Sequence, residues 1–360
     1  MMSETEQNSP FQTAFLAVLA FANWLLIAAL VAAFALFARP ADAAQAECGG
    51  ENIFSTMERD DPALAAALRA EATATPNGKG LLWRVENAKG EPSWLFGTMH
   101  MTDPRVVTLP KEAQKAFDAA GTVVIETTDV LDESKMTAVM LKRPELMMFT
   151  GAETLSSMIP EKDRELVAEG LSRRGVPLSS VEKMKPWIIA ALVSLPACEL
   201  SRKAGKALVL DAKLAEDAKA AGKSLHGLET AESQLEAMAS LPMELHIEGL
   251  VETLKLGDRM DDVMETMIQL YLAGETGLFW PFFGAVLPDS GGTEGSYAEF
   301  QETMVSARNR DMAAGALPLI EQGGAFIAVG ALHLPGEDGL IALFRDEGLK
   351  VEPVMSGSLN

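Results

Sequence analysis

Two of the histidines in this sequence share a motif that could place them at a reactive site. The chain has four histidines, His100, His226, His246 and His333. The first and the last each follow a glycine by three positions, at Gly97 and Gly330, and both Gly-x-x-His motifs come directly after a short apolar run typical of a buried strand. Neutral imidazole binds first-row transition metals well, and a glycine lets backbone and ligand approach closely. A shared metal site is one interpretation, and two structural histidines that cap loops are the other.

Charged residues near the motifs could complete such a site. Glu126 ends the apolar run TVVIE after the first motif, so its carboxylate could ligate a metal or take a proton from bound water. Arg308 precedes the second motif in a polar helical pattern, where it could hold a carboxylate or stabilise an oxyanion, or simply be solvated. His226 and His246 are expected to be structural, although Glu229, close to His226, is a weaker site candidate.

The elements around the two motifs follow the same order. Each motif sits in a succession of strand, histidine loop, helix and strand, and in α/β sheets ligands bind where the strands end. The predicted fold is therefore α/β (α+β), with two strand-GxxH-helix-strand half units that form a central sheet. A hairpin is expected over residues 81–96, and a large helical insertion over about residues 132–274. Residues 276–296 break that helical pattern, and their aromatic run predicts either core packing or an exposed apolar lip.

Composition and missing motifs exclude several classes of protein. With 30 Lys and Arg against 51 Asp and Glu, the net charge is −21, which argues against a nucleic-acid partner. The sequence contains no phosphate-binding Gly-rich loop with Lys-Ser/Thr, no Gly-x-Ser-x-Gly elbow, no HExxH and no CxxC. Nucleotide hydrolysis, serine-elbow chemistry and zinc-finger sites therefore have no support.

The N-terminus predicts a membrane segment. Residues 11–38 contain no charged side chain and are long enough to span a bilayer. The preceding residues lack Lys and Arg, which favours a retained anchor, whereas small residues near position 43 would also suit cleavage of a signal peptide. We expect residues 1–45 to be a cytoplasmic stub with this anchor or signal, and residues 46–360 to form the main domain. The domain would face the periplasm at the cell membrane, or be secreted there if the span is cleaved.

The two cysteines bear on the compartment. Cys48 and Cys198 are an even pair that could form a disulfide in an oxidising compartment. Two unpaired buried thiols are the alternative.

Taken in order, these motifs resemble the TraB/GumN family, which is related to the Tiki proteins. The resemblance covers roughly residues 76–355 and rests on WLFGTMH, VVIETTD, LDAKLAEDAKAAGKSLHGLETAESQLEAM, ARNRDMA and AVGALHLPGEDGLIALFRDEGLKVEPV. It implies a divalent-metal site built from His100, Glu126 and His333, with Arg308 as a supporting group. The metal would be Mn, Co or Zn.

The resemblance also points, more weakly, to Asp211 and Glu229 as packing or supporting groups of the site.

The resemblance further implies a function. The leading hypothesis is a membrane-tethered or secreted metallohydrolase that cleaves a peptide or protein with metal-activated water. The alternatives are a non-catalytic haem- or peptide-binding envelope protein on the same scaffold, and an interaction protein whose site is vestigial.

Overall fold

The computed structural model of the chain describes residues 48–287 and 294–354. Within these ranges, no helix is both long and apolar enough to cross a membrane. The predicted span, residues 11–38, lies outside the described residues.

A single six-stranded mixed sheet forms the centre of the described part. Its strands are β1 (Leu82–Glu86), β2 (Pro92–Thr98), β3 (Thr122–Ile125), β4 (Ser224–Gly227), β5 (Ala325–Gly330) and β6 (Lys350–Pro353). They lie in the order β4-β3-β5-β2-β1-β6. The pairs β4–β3, β3–β5 and β5–β2 are parallel, whereas β1 runs antiparallel to β2 and β6. The hairpin prediction is therefore confirmed.

The sheet order brings the two motifs together. Strands β2 and β5 are parallel neighbours, and their register places Thr98 opposite Gly330. Strand β3 lies on the other side of β5 in parallel, so its carboxyl end reaches the same edge. His100, Glu126 and His333 therefore leave three adjacent strands at one edge of the sheet. The two half units exist as predicted, but they interleave, because β3 of the first unit lies beyond β5 of the second.

Helices surround the sheet and fill most of the chain between β3 and β5. They are α1 (Ile53–Asp60), α2 (Pro62–Ala74), α3 (Pro104–Val107), α4 (Lys111–Ala119), α5 (Glu133–Lys142), α6 (Leu155–Met158), α7 (Arg164–Arg173), α8 (Pro186–Val193), α9 (Ala197–Ala204), α10 (Leu210–Ala220), α11 (Ala231–Ser240), α12 (Met243–Leu256), α13 (Arg259–Leu272), α14 (Phe279–Val286), α15 (Glu294–Gln301), α16 (Ala307–Gln322) and α17 (Leu340–Asp346). A π-helical turn, Glu302–Ser306, joins α15 to α16.

Two elements differ from the sequence-based expectation. Strand β4 lies inside the stretch expected to be helical, and three of its four residues are exposed, so this edge strand has no apolar pattern to reveal it. The aromatic run after residue 276 forms helix α14 rather than an irregular segment. Pro281 is tolerated in its first turn, where the missing N–H needs no partner. Phe279 and Phe282 are buried in the main core, as the packing interpretation expected.

Apolar side chains cover both faces of the sheet. In β5, Phe326 and Ala328 join one core, and Ile327 and Val329 join the core on the other face. This alternation follows from the two-residue period of a strand. A third core lies among α7, α8 and α12, within the helical insertion. Both faces of the sheet are therefore covered by apolar packing, as is usual for parallel strands.

A disulfide joins Cys48, at the start of the described chain, to Cys198 in α9. The disulfide interpretation of the two cysteines is confirmed. The bond closes a loop with a sequence separation of 150 residues. A cross-link over so long a loop removes much conformational freedom from the unfolded chain.

Replacing both cysteines by alanine should therefore lower the free energy of unfolding by about 3–5 kcal/mol. Urea unfolding of the wild type and of the Cys48→Ala/Cys198→Ala protein, each with and without reductant, measures the difference. Reductant should shift the wild-type midpoint and leave the double variant unchanged. Equal midpoints for the two oxidised proteins would contradict the stabilising role.

Candidate functional site

Glu126 lies at the centre of the edge where β2, β3 and β5 end, and it is only 5% exposed. Its Oε1 accepts the Gly330 backbone N–H at 2.7 Å. The same oxygen lies 3.8 Å from His333 Nε2 and 4.0 Å from His100 Nε2. One carboxylate oxygen therefore faces both motif histidines.

The other oxygen of Glu126 is held by α16 and α11. Oε2 accepts Arg308 Nη2 at 2.9 Å and Gln234 Nε2 at 3.0 Å. Arg308 also donates from Nε and Nη2 to Glu229, at 2.8 and 2.6 Å, and from Nη1 to the Met304 carbonyl at 3.0 Å. The guanidinium, whose side chain is 13% exposed, thus clamps two buried carboxylates.

His333 is buried and has a fixed orientation. Its Nδ1 lies 2.6 Å from Asn309 Oδ1, while Asn309 Nδ2 donates to the Asp338 carbonyl at 2.8 Å. An amide oxygen only accepts, so Nδ1 of His333 carries the hydrogen and Nε2 presents its lone pair towards Glu126. Burial lowers the pKa of His333 to about 4, against the opposing effect of Glu126, so the ring is neutral at pH 7.

His100 sits on the open side of the cluster, with 57% of its side chain exposed. Its Nε2 lies 3.3 Å from Asp211 Oδ2, and this carboxylate raises the pKa of His100. Asp211 Oδ1 accepts the Thr98 hydroxyl at 2.7 Å, whereas Oδ2 is buried without an aligned hydrogen-bond donor. The weaker sequence candidate Asp211 therefore lies directly beside a motif histidine, with one oxygen aimed at it.

Electrostatics keep Glu126 ionised. Burial alone would raise the pKa of its carboxyl, but His333, His100 and Arg308 together lower it to about 2. A buried carboxylate that stays charged at neutral pH can attract a cation or accept a proton.

The motif glycines make room for the site. A Cβ on Gly97 would lie 3.1 Å from Ala331 of the second motif and 3.1 Å from Leu334. A Cβ on Gly330 would lie 3.1 Å from Glu126 Oε1. Neither glycine has a positive φ, so each is required for close approach and not for backbone conformation.

The donor set suits a divalent ion, although it is not drawn together tightly. Two ligand atoms at about 2.0–2.2 Å from a common ion lie about 3 to 3.6 Å apart. The pairs His100–Asp211, His333–Glu126 and His100–Glu126, at 3.3, 3.8 and 4.0 Å, lie at or slightly beyond that range. Across residues 48–287 and 294–354, no three His, Cys, Asp and Glu side chains meet closely enough to form a complete metal site. The unsatisfied Oδ2 of Asp211 and the lone pair of His333 nevertheless fit a cation at this position.

The remaining histidines lie elsewhere. His226 is exposed on β4, opposite Val124, and His246 is buried in α12 with Nε2 3.0 Å from the Met238 carbonyl. Neither joins the cluster. Two contributors had no sequence signal of their own, because Thr98 is simply part of the first motif and Gln234 is one polar residue among many on α11.

An open groove borders the cluster on the side of Arg308. Its volume is about 370 Å³, and its walls come mainly from α11 and from the turn that leads into α16. Glu229 and Arg308 line it together with the small or apolar residues Leu228, Ala237 and Ala307. The groove borders the cluster through Glu229 and Arg308, whose side chains are paired with each other.

Replacing Gly97 by alanine should destabilise the protein by about 1–3 kcal/mol, because the new methyl group would overpack against Ala331 and Leu334. Gly121→Ala is the matched control, since nothing lies within 4 Å of a Cβ there, and it should change stability by less than about 0.5 kcal/mol. Urea unfolding curves measure both. A Gly97→Ala protein as stable as the Gly121→Ala protein would disprove the close-approach argument.

Sequence comparison relates the chain to known proteins. A sequence model of the TraB/PrgY/gumN family matches residues 81–353, which include both motifs. The chain is 24% identical over 322 residues to Metalloprotease TIKI2 of Danio rerio, covering 75% of this chain and 60% of the relative. It is also 24% identical over 330 residues to Metalloprotease TIKI1 of Danio rerio, covering 79% of this chain and 65% of that relative. The chain therefore spans less than two thirds of the length of either relative. It belongs to the TraB/PrgY/gumN family.

Proposed function

We propose that this protein is a divalent-metal-dependent hydrolase that cleaves a peptide or protein. The observation that carries the proposal is the convergence of His100 Nε2, His333 Nε2, Glu126 Oε1 and Asp211 Oδ2 at one edge of the sheet. Membership of the TraB/PrgY/gumN family and the distant likeness to two metalloproteases support it.

Those four atoms would hold the ion. Their mixture of imidazole nitrogen and carboxylate oxygen suits Mn, Co or Zn. When bound, a divalent ion supplies Lewis-acid chemistry, which polarises a carbonyl group and makes water nucleophilic at neutral pH. A histidine must be neutral to ligate a metal, so binding would displace the proton that Asp211 favours on His100. In that state the carboxylates of Glu126, Asp211 and Glu229 face one positive charge, that of Arg308. The site therefore has the charge to balance a divalent cation.

The protein groups have separate roles in this proposal. Asn309 fixes the tautomer and ring plane of His333, so that Nε2 points into the cluster. Glu126 either ligates the ion or takes the proton from the attacking water, because it is ionised and faces both histidines. Arg308 holds Glu126 in place, and its stabilisation of developing charge stays a prediction.

The location of the domain is part of the same proposal. A disulfide persists in oxidising compartments, so Cys48–Cys198 favours a domain outside the cytoplasm. We place the domain at the periplasmic side of the cell membrane, anchored by residues 11–38, or in the periplasm if that segment is cleaved. A peptide substrate would reach the cluster along the groove beside Arg308.

Removing both motif histidines should abolish metal binding. Elemental analysis after reconstitution with Mn, Co or Zn should find about one or two equivalents in the wild type and none above background in His100→Ala/His333→Ala. His226→Ala is the matched control, because that histidine is exposed on β4 outside the cluster, and it should keep wild-type stoichiometry. Peptide hydrolysis should follow the bound metal.

Two results would overturn the proposal. Wild-type metal content in the folded double variant would place the ion elsewhere. A wild type that binds no metal and hydrolyses no peptide, but develops a Soret band with haem, would favour the alternative of a binding protein.

Asn309 offers a second test. Asn309→Ala frees the His333 ring, so affinity for Co²⁺ or Mn²⁺ should fall about 10- to 100-fold. Asn309→Asp loses the donor to the Asp338 carbonyl but keeps an acceptor for Nδ1, so it should lose less affinity than the alanine variant. Titration with the metal, with folding checked by circular dichroism, measures both. Equal affinities in wild type and Asn309→Ala would rule out the orienting role.

A further inference from the structure

The loop that carries His100 is held from outside the sheet by a buried glutamate. Glu199, in α9, is fully buried. Its Oε1 accepts the Thr102 backbone N–H at 2.8 Å, and its Oε2 accepts the Thr102 hydroxyl at 2.7 Å. Thr102 is itself 4% exposed and lies two residues after His100. Both oxygens of one carboxylate are thus committed to the loop behind the histidine.

Burying this carboxylate is costly. Ionised groups lose much hydration in an apolar interior unless partners replace it. The nearest cations, Lys203 Nζ at 3.8 Å and Arg202 Nη1 at 4.0 Å, stand off from Glu199 without a close hydrogen bond. The hydrogen bonds that Glu199 accepts from outside its own helix come from Thr102. Its position is therefore best explained by what it does to the loop.

The same turn of α9 contacts the loop at a second residue, Asp103. Arg202 Nη1 lies 3.6 Å from Asp103 Oδ2 and donates to Cys48 Sγ at 3.2 Å. Cys198, which directly precedes Glu199, is covalently joined to Cys48. The disulfide thus joins the helical turn that contacts Thr102 and Asp103 to the segment at Cys48.

His100 needs such a hold more than His333 does. His333 is buried and is oriented directly by Asn309 through its Nδ1. Within residues 48–287 and 294–354, no side chain hydrogen-bonds to Nδ1 of His100, which lies on the exposed side of the cluster. Apart from the contact of its Nε2 with Asp211, its place is set through the backbone on either side, by Thr98, which donates to Asp211, and by Thr102, which Glu199 holds.

We propose that Glu199 is a positioning residue for His100, acting through Thr102, and that the Cys48–Cys198 disulfide anchors the helical turn from which it acts. The inference rests on the metal site proposed above for its consequence, but its structural part stands independently of that site.

The test compares three variants with the wild type by two measurements. Hydrogen exchange follows the amides of residues 99–104, and titration with Co²⁺ or Mn²⁺ gives the affinity for the metal. Glu199→Ala should speed exchange at Thr102 at least about tenfold and weaken metal binding about 10-fold or more. Glu199→Gln should stay close to wild type in both, because an amide can accept the Thr102 N–H and donate to the hydroxyl oxygen.

Glu252→Ala is the matched control. Glu252 is another buried glutamate of the helical insertion, paired with Lys255 at 2.7 Å in α12, which packs in the third core. Its replacement should leave exchange at residues 99–104 and metal affinity unchanged. If Glu199→Ala does not fold, Thr102→Val removes the hydroxyl contact from the other side and Thr102→Ser restores it.

Each outcome decides a separate point. Wild-type exchange in Glu199→Ala would overturn the inference, and so would fast exchange with unchanged metal affinity. If the wild type binds no metal, the proposed function fails, while exchange still decides whether Glu199 holds the loop. Reduction of the disulfide should also speed exchange at residues 99–104, and unchanged exchange would remove the disulfide from the inference.

Discussion

This site depends on the hydrogen bonds and the ion pair that stabilise the buried carboxylate of Glu126. An ionised group that is 5% exposed is tolerable only because each of its oxygens has close donors, the Gly330 N–H on one and Arg308 with Gln234 on the other. Those contacts require β3 and β5 to be parallel neighbours and require α16 to lie over their ends. A glycine at 330 leaves room for this approach, because a Cβ there would lie only 3.1 Å from Glu126 Oε1. The strand order, the motif glycine and the arginine together allow this one charge to be buried.

The two motif histidines are held by different parts of the chain. His333 takes its orientation from Asn309 on α16, the helix that leads into its own strand. His100 depends on the helical insertion, since Asp211 in α10 faces its ring and Glu199 in α9 holds the loop behind it. The insertion therefore does more than enlarge the protein. It supplies the side chains that contact His100 and its loop, while the sheet supplies the strand ends from which the motif loops begin.

The sequence predicts this arrangement as far as local pattern reaches. The two Gly-x-x-His motifs, the strand before each and the position of Glu126 are all local features, and parallel pairing then brings them to one edge. The partners of these residues could not be read in the same way. Arg308 meets Glu126 across 182 positions, and Glu199 meets Thr102 across 97. Such pairs depend on how helices pack, as does β4, whose exposed residues carry no periodic signal.

Arg308 both neutralises negative charge and holds two carboxylates in a fixed orientation. Among residues 48–287 and 294–354, Glu229, Glu126 and the Met304 carbonyl take four of its five N–H groups. A lysine could neutralise one carboxylate here, but it could not bind two in a fixed plane. Because the guanidinium fixes Glu126 Oε2, Oε1 is left to face the histidines. The arginine thus determines which oxygen of Glu126 faces the two histidines.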